Sequence, residues 1–278
     1  MIITSLLSCK KEEKEKLIDK KIEIGETGIF TDTRDGKTYK TIKIGNQTWM
    51  AENLAYLPEI KPKYYDPIQD ICYYVCGYKG DNIDDAKATD NYKTYGVWYN
   101  YKAASNESNW PKGWHLPTVS EYKELEKYLG NINQGGRKIK ADFEILKEQF
   151  LNSKPTDYGL VNQEILAKTN YDKLKEYFSN PLNKTKSELI KTVISRNATN
   201  NASGFSALLA GVYTENFATD RIGEYAYFWV KDFRTGLSIA PTFSVDIYNS
   251  KLFFSMVGLD GNLNTGNGLT VRLIKDKE

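Results

Sequence analysis

A chain of 278 residues can bury a genuine core as one large domain or two small ones. Its 38 Lys and Arg against 36 Asp and Glu leave a net charge of +2; with no long basic run outside a mixed stretch near the start, a nucleic-acid partner has no electrostatic footprint. No segment reaches the ~18 consecutive apolar residues that span a bilayer, while 20 tyrosines within an aromatic content of 13% suit either an extracellular recognition surface or a β-rich core.

Residues 1–8 (MIITSLLS) are apolar and run into Leu6-Leu7-Ser8-Cys9, after which Lys10-Lys11-Glu12-Glu13-Lys14-Glu15 is charged throughout. Apolar segment, small residue, cysteine is the order found where a signal peptide is cut ahead of a cysteine. It resembles the lipobox of bacterial lipoproteins, which implies that Cys9 carries the acyl groups and that the lipid bilayer is a partner. Eight residues are fewer than the roughly 15–30 of a full signal, so 1–8 is expected to be a truncated remnant. Residues 9–27 form a charged tether, a composition that cannot pack, and the main domain runs from 28 to 278.

In chain order, Ile29–Thr31, Lys37–Ile44 and Gln47–Met50 carry strand signals, with Asp35-Gly36 expected as a two-residue turn and Gly45-Asn46 between the second and third strands. Residues 56–95 are rich in Pro, Tyr and Asp without clear periodicity, and are expected to form a long ordered loop ahead of an aromatic core segment at Tyr95–Tyr101. Thr118 and Glu121 then make a capping box that opens a helix. Val119, Tyr122, Leu125, Tyr128 and Leu129 share one helical face, and Gly130 is placed to end it in a left-handed conformation. Trp114, His115, Leu116 and Pro117 form the stiff turn before the cap, since Pro117 keeps Leu116 extended. A Lys- and Glu-rich stretch at about 141–196 has helical spacing and is expected as an insertion. Strand signals return in 204–211, 225–230, 242–247, 251–257 and 269–274.

The chemistry available is sparse. His115 is the only histidine, so any histidine-based mechanism must use it, but a catalytic base also needs a nucleophile and an orienting acid; a packed structural role is the expectation. One His and three Cys cannot build the usual zinc sets once Cys9 is acylated. Cys72 and Cys76, spaced C-x3-C, are expected to pair in an oxidising compartment. Asp81, Asp84, Asp85, Asp260, Asn262 and Asn264 offer oxygens of the kind calcium takes, although such clusters also make ordinary turns; no other cofactor is expected. Tyr225, Tyr227 and Trp229 alternate along a strand and share one face, which either stacks on a ligand or joins the core.

Five blocks in order, FTDTRDGKTYKTIKIGNQTWMAENL, YGVWYN, PKGWHLPTVSEYKELEKYLG, GFSALLAG and VRLIKD, resemble the Fibrobacter succinogenes major paralogous domain from about Phe30 to Asp276. That family is similar in turn to the C-type lectin-like and formylglycine-generating-enzyme folds. The resemblance implies an α+β domain with small twisted antiparallel sheets, long ordered loops and a helical insertion, on a protein lipid-anchored in the bacterial outer membrane and exposed at the cell surface. It implies no settled activity. Formylglycine-generating enzymes use cysteines in their C-terminal half, and this chain has none after Cys76. Where the family commonly carries cysteines ahead of PKGWHLP and within its closing strand, this chain has Trp110 and Leu273, as expected if the two normally pair and were lost together. The function expected is a non-catalytic binding or adhesion module for a glycan or protein, with a structural envelope or fimbria-associated role as the alternative and an enzyme ranked last.

Overall fold

A computed structural model describes residues 25–60, 66–130, 133, 135–142, 145–146, 201–214, 219–231, 240–246, 251–257 and 264–277. Cys9, the tether up to residue 24, and nearly all of the expected 141–196 insertion lie outside the described residues, as do Asp260 and Asn262.

The first three expected strands form as an antiparallel meander: β1 (Thr27–Thr31), β2 (Thr38–Ile44) and β3 (Gln47–Met50). Ile44 pairs with Gln47 across the two-residue connection Gly45-Asn46. The other connection is not the two-residue turn expected at Asp35-Gly36. The last β1–β2 pair is Thr31 with Thr38, so six residues intervene, and the loop closes through an Asp32 amide donating to the Lys37 carbonyl at 2.8 Å. The cause is the buried Asp32, whose carboxylate takes Nε and Nη2 of Arg34 at 2.9 and 2.6 Å and so holds the loop open around an ion pair. Gly36 still supplies a positive φ of 74° at the loop's exit.

The stretch expected to be a long loop contains structure. After β4 (Tyr73–Tyr74) come two six-residue helices, α1 (Ile83–Ala88) and α2 (Asp90–Tyr95). Asn82 caps the first by accepting from the Asp84 and Asp85 amides, and Thr89 caps the second by accepting from Tyr92. Helices of less than two turns leave no periodic stripe, which is why the sequence pattern suggests a loop. Next, β5 (Trp98–Tyr99) pairs with β4, and Asn100 caps α3 (Tyr101–Ser105). β6 (Trp114–His115) leads into α4 (Val119–Leu129), whose capping box and left-handed Gly130, at φ 98°, form as expected. Tyr122, Leu125 and Leu129 of α4 are buried, but Tyr128 is 42% exposed because its ring lies over Gly45 of the meander rather than in the core.

After α5 (Gly135–Ile139), residues 204–211 alternate between half-buried and buried up to Leu209 and form no regular strand, tied to their neighbours by single bridges such as Lys140 with Ala207. β7 (Val212–Tyr213) pairs with β8 (Thr219–Asp220). β9 (Tyr225–Trp229), β10 (Ala240–Asp246) and β11 (Phe253–Val257) form an antiparallel sheet with β10 in the middle. β12 (Ile274–Lys275) joins the first sheet between β3 and β6, giving the order β1-β2-β3-β12-β6. Short helices around small antiparallel sheets make the domain α+β.

The first sheet is packed on both faces. Ile42, Ile44, Trp49 and Ile274 join α4 in one core with Tyr122, Phe205, Phe228 and Phe243. Tyr39, Met50, Trp114 and Leu273 join a second core with Tyr99, Trp229 and Leu269. Register places Ile274 against His115, so Leu273 continues toward Leu116, while Trp110 packs at the edge of that same second core.

Cys72 and Cys76 are both buried and are not joined to each other in a disulfide, which corrects the expected pairing. Cys72 directly precedes β4 and Cys76 follows it by two residues, and both pack in the same buried cluster as Tyr74. Alkylation without reductant, mapped by mass spectrometry, is expected to leave Cys72 and Cys76 untouched in the folded protein and to modify both after unfolding; labelling that requires prior reduction would restore the disulfide.

Candidate binding cleft

Thr270-Val271-Arg272-Leu273-Ile274 places a permanent cation inside an apolar run, and such a residue must find oxygens when it is buried. Arg272 is 0% exposed. Its Nε donates to Asn53 Oδ1 at 2.7 Å, Nη1 to the carbonyls of Met50 and Phe205 at 3.2 and 2.5 Å, and Nη2 to the Ser206 carbonyl at 2.9 Å. The guanidinium also lies 4.9 Å from the Phe205 ring centroid and 5.7 Å from that of Phe228. Burial pushes its pKa down to about 9, which leaves it charged at neutral pH. Asn53 passes the connection on, its Nδ2 donating to the Tyr95 carbonyl at the end of α2 at 2.9 Å. One side chain thereby fixes three chain segments distant in sequence.

Above this floor is a cleft of about 590 Å3 between the β1–β2 hairpin, residues 51–55, the end of α2 and residues 204–208. Thr94 lies exposed on its α2 wall. Among the described lining residues, Lys37, Lys40 and Lys93 stand with Arg272 against one carboxylate, that of Glu52. Glu52 is occupied in part by the backbone, its Oε2 accepting the Lys40 amide at 2.6 Å, and Lys93 has a loose exposed contact with Asp90 at 3.6 Å. The charged groups among the described lining residues are therefore mostly cations. Lys37, Lys40, Glu52 and Arg272 lie within the blocks that carry the family resemblance, but none is singled out there as a site residue. The available signal was Arg272 itself, a charge where strand alternation demands a buried residue.

The residues singled out from sequence lie elsewhere. His115 is a clamp: Nδ1 contacts Asp276 Oδ1 at 2.6 Å and Nε2 contacts Glu121 Oε1 at 2.9 Å, while the other Glu121 oxygen accepts the Thr118 amide and hydroxyl. Both ring nitrogens are engaged by carboxylates, so the ring ties the end of β12 to the start of α4. The hydrogen bond to Glu121 raises the His115 pKa against the effect of burial, and the Asp276 contact adds to it. Burial opposes ionisation of Glu121, but its bonds to His115 and Thr118 together hold it down to about 2.

The ladder of Tyr225, Tyr227 and Trp229 shares one face as expected, but that face is not open to a ligand. β9 lies between the two cores: Ala226, Phe228 and Val230 enter one, Tyr227 and Trp229 the other. Trp229 is fully buried with Nε1 donating to the Tyr99 carbonyl at 2.6 Å, and Tyr227 accepts from Arg221 at 2.9 Å. Half-buried Tyr225 stacks on Tyr227 at 5.4 Å.

Of the oxygens suited to calcium, Asn82, between Asp81 and Asp84, spends its Oδ1 on the amides of Asp84 and Asp85, and these stretches act as cap and turn. Asn264 likewise accepts from the Gly266 and Asn267 amides. No group of three metal-ligating side chains occurs among the described residues. A second buried cation, Lys140, donates to the Asp246 carbonyl at 3.1 Å, and burial lowers its pKa to about 8.

Replacing Arg272 leaves its carbonyl partners and Asn53 buried without a donor, so Arg272→Met is expected to lose about 3–5 kcal/mol in urea unfolding. Arg272→Lys should recover little, because one ammonium cannot reproduce the planar fork. The clamp has its own signature. A raised histidine pKa stabilises fully below the unfolded value near 6.5 and fades as pH rises through the folded one, whereas the Glu121 contribution fades as pH falls toward about 2. His115→Gln should therefore lower Tm by about 3–6 °C at pH 6 and by clearly less at pH 9; an equal loss at both would refute the charged clamp.

The family model described as the Fibrobacter succinogenes major domain matches residues 42–275. No curated protein and no solved structure gives a significant match. No helix among the described residues is long and apolar enough to cross a membrane. The matched stretch runs from the end of β2 through β12 and takes in Arg272, Asn53, His115 and Glu121, while β1, Lys37 and Lys40 of the cleft lining and Asp276 of the clamp lie just outside it, and the chain belongs to the Fibrobacter succinogenes major domain family.

Proposed function

We propose that this chain is a non-catalytic binding module displayed at the bacterial cell surface, anchored in the outer membrane through an acylated Cys9, with its ligand seated in the cleft above Arg272. The observation that carries this reading is a cleft of about 590 Å3 whose floor is rigidly held by a fully buried guanidinium. That volume lies within the range of small-ligand and peptide sites, and a fixed floor lowers the ordering cost of binding. His115 supports the non-catalytic part, since both of its nitrogens are committed to carboxylates. A kinship with C-type lectin-like folds is part of the proposal, supported by the Leu116-Pro117-Thr118 turn into α4 and the closing strand that follows Val271-Arg272.

The experiment is ligand screening of the full chain on glycan and peptide arrays beside Thr94→Trp, which places an indole at the mouth of the cleft from an exposed position on α2. A ligand of the wild type should be lost from the variant while Tm stays unchanged. Binding that survives Thr94→Trp would move the site out of the cleft.

A further inference from the structure

One wall of the cleft is a sheet edge whose outer row of backbone groups has no strand partner among the described residues. β1 lies at the end of the order β1-β2-β3-β12-β6 and pairs on one side alone among the described residues. Its sequence, Thr-Gly-Ile-Phe-Thr, carries no charge and no proline, and Ile29 is 78% exposed. Natural edges are ordinarily blunted by lysines, prolines or bulges because an open row of N–H and C=O groups pairs with any extended chain it meets. β1 has none of these protections in its five residues, and Thr27, Gly28 and Ile29 all line the cleft.

Resting on the reading of the cleft as the binding site, we propose that its ligand is an extended acidic peptide segment of a partner protein, which adds to the open edge of β1. Such a strand makes main-chain hydrogen bonds to β1 and lays alternate side chains on each face of the sheet. One set meets exposed Ile29 and is apolar. Lys40, the cross-strand partner of Ile29, lies on that same face and offers its methylene stem to the apolar set; Lys37, whose Nζ is 5.6 Å from the centroid of the Tyr39 ring, lies on the Tyr39 side of the hairpin and meets carboxylates of the other set. A glycan fits these features less well, because it has no use for a row of backbone donors and acceptors. The tyrosines among the described lining residues, Tyr92 and Tyr95, are 8% and 7% exposed and offer no open ring for a sugar to stack on.

The test uses the full chain and fluorescence anisotropy with defined probes: a capped decapeptide alternating Val and Glu, its Val and Lys counterpart, two versions of the first N-methylated at either the Val or the Glu amides, and an oligogalacturonate. The Val-Glu peptide should bind. The Val-Lys peptide, and the Val-Glu peptide against a Lys37→Glu variant, should each be weaker by about tenfold or more. One methylated version should lose binding by a similar factor, because only one alternate set of amides points at β1. Equal binding by both methylated versions overturns strand addition. Binding of oligogalacturonate in place of the peptide reassigns the ligand to an acidic glycan, and a dimer in light scattering that the peptide does not dissociate reassigns the edge to a second copy of the chain. If no probe binds while an array ligand is lost in Thr94→Trp, the peptide inference falls and the cleft remains the site.

Discussion

A guanidinium sealed from water must be surrounded by oxygen, and in this domain that requirement organises the centre of the molecule. Arg272 takes carbonyls from the end of β3 and from residues 205–206, and the side chain of Asn53, which in turn holds the end of α2. Desolvating the cation costs several kcal/mol, offset only if all of these acceptors stay in place. The arrangement is therefore close to all-or-none. It also explains why a cleft persists beside the core: the segments forming its walls are held by polar bonds at defined distances and cannot relax inward to fill the space.

The aromatic wealth of the chain is spent mostly on packing. Two cores flank the first sheet, and Tyr122 stacks on Phe243 at 4.3 Å in one of them while Tyr101 lies 5.2 Å from Trp229 in the other. With strands this short, main-chain pairing supplies little cohesion, and large rings with polar tips bridge the irregular stretches between them. Tyr73, Tyr92 and Tyr99 each bury a ring and place the hydroxyl on a partner at 2.8, 2.8 and 2.6 Å.

Elements specified by local chemistry were legible in the sequence. The meander, the capped helix α4 with its terminal Gly130, and the strands β9, β10 and β11 each announce themselves by alternation, capping or a turn residue. What stayed hidden depends on contacts remote in sequence. α1 and α2 are too short for a periodic signal, and the loop at Asp32–Lys37 is set by an ion pair that no turn rule contains. Alternation correctly placed Tyr225, Tyr227 and Trp229 on one face, but could not show that β9 has a core on each side. The cleft was least legible, since Lys37, Lys40, Glu52, Lys93 and Arg272 come from four separate stretches and carry no shared spacing.

The position of β12 within its sheet governs how the protein must acquire its structure. That strand sits between β3 and β6, and Arg272 just before it bonds to Met50 across a sequence separation of 222 residues. The meander of β1 to β3 is local and pairs early, yet its sheet lacks an inner strand until a segment more than two hundred residues later arrives. Closing so large a loop before any reward is slow, which makes contact order rather than stability the limiting property of this fold. Until β12 arrives, the edge of β3 stands open in addition to that of β1. The nascent domain thus passes through a state with two exposed pairing edges, in which premature association is the main hazard.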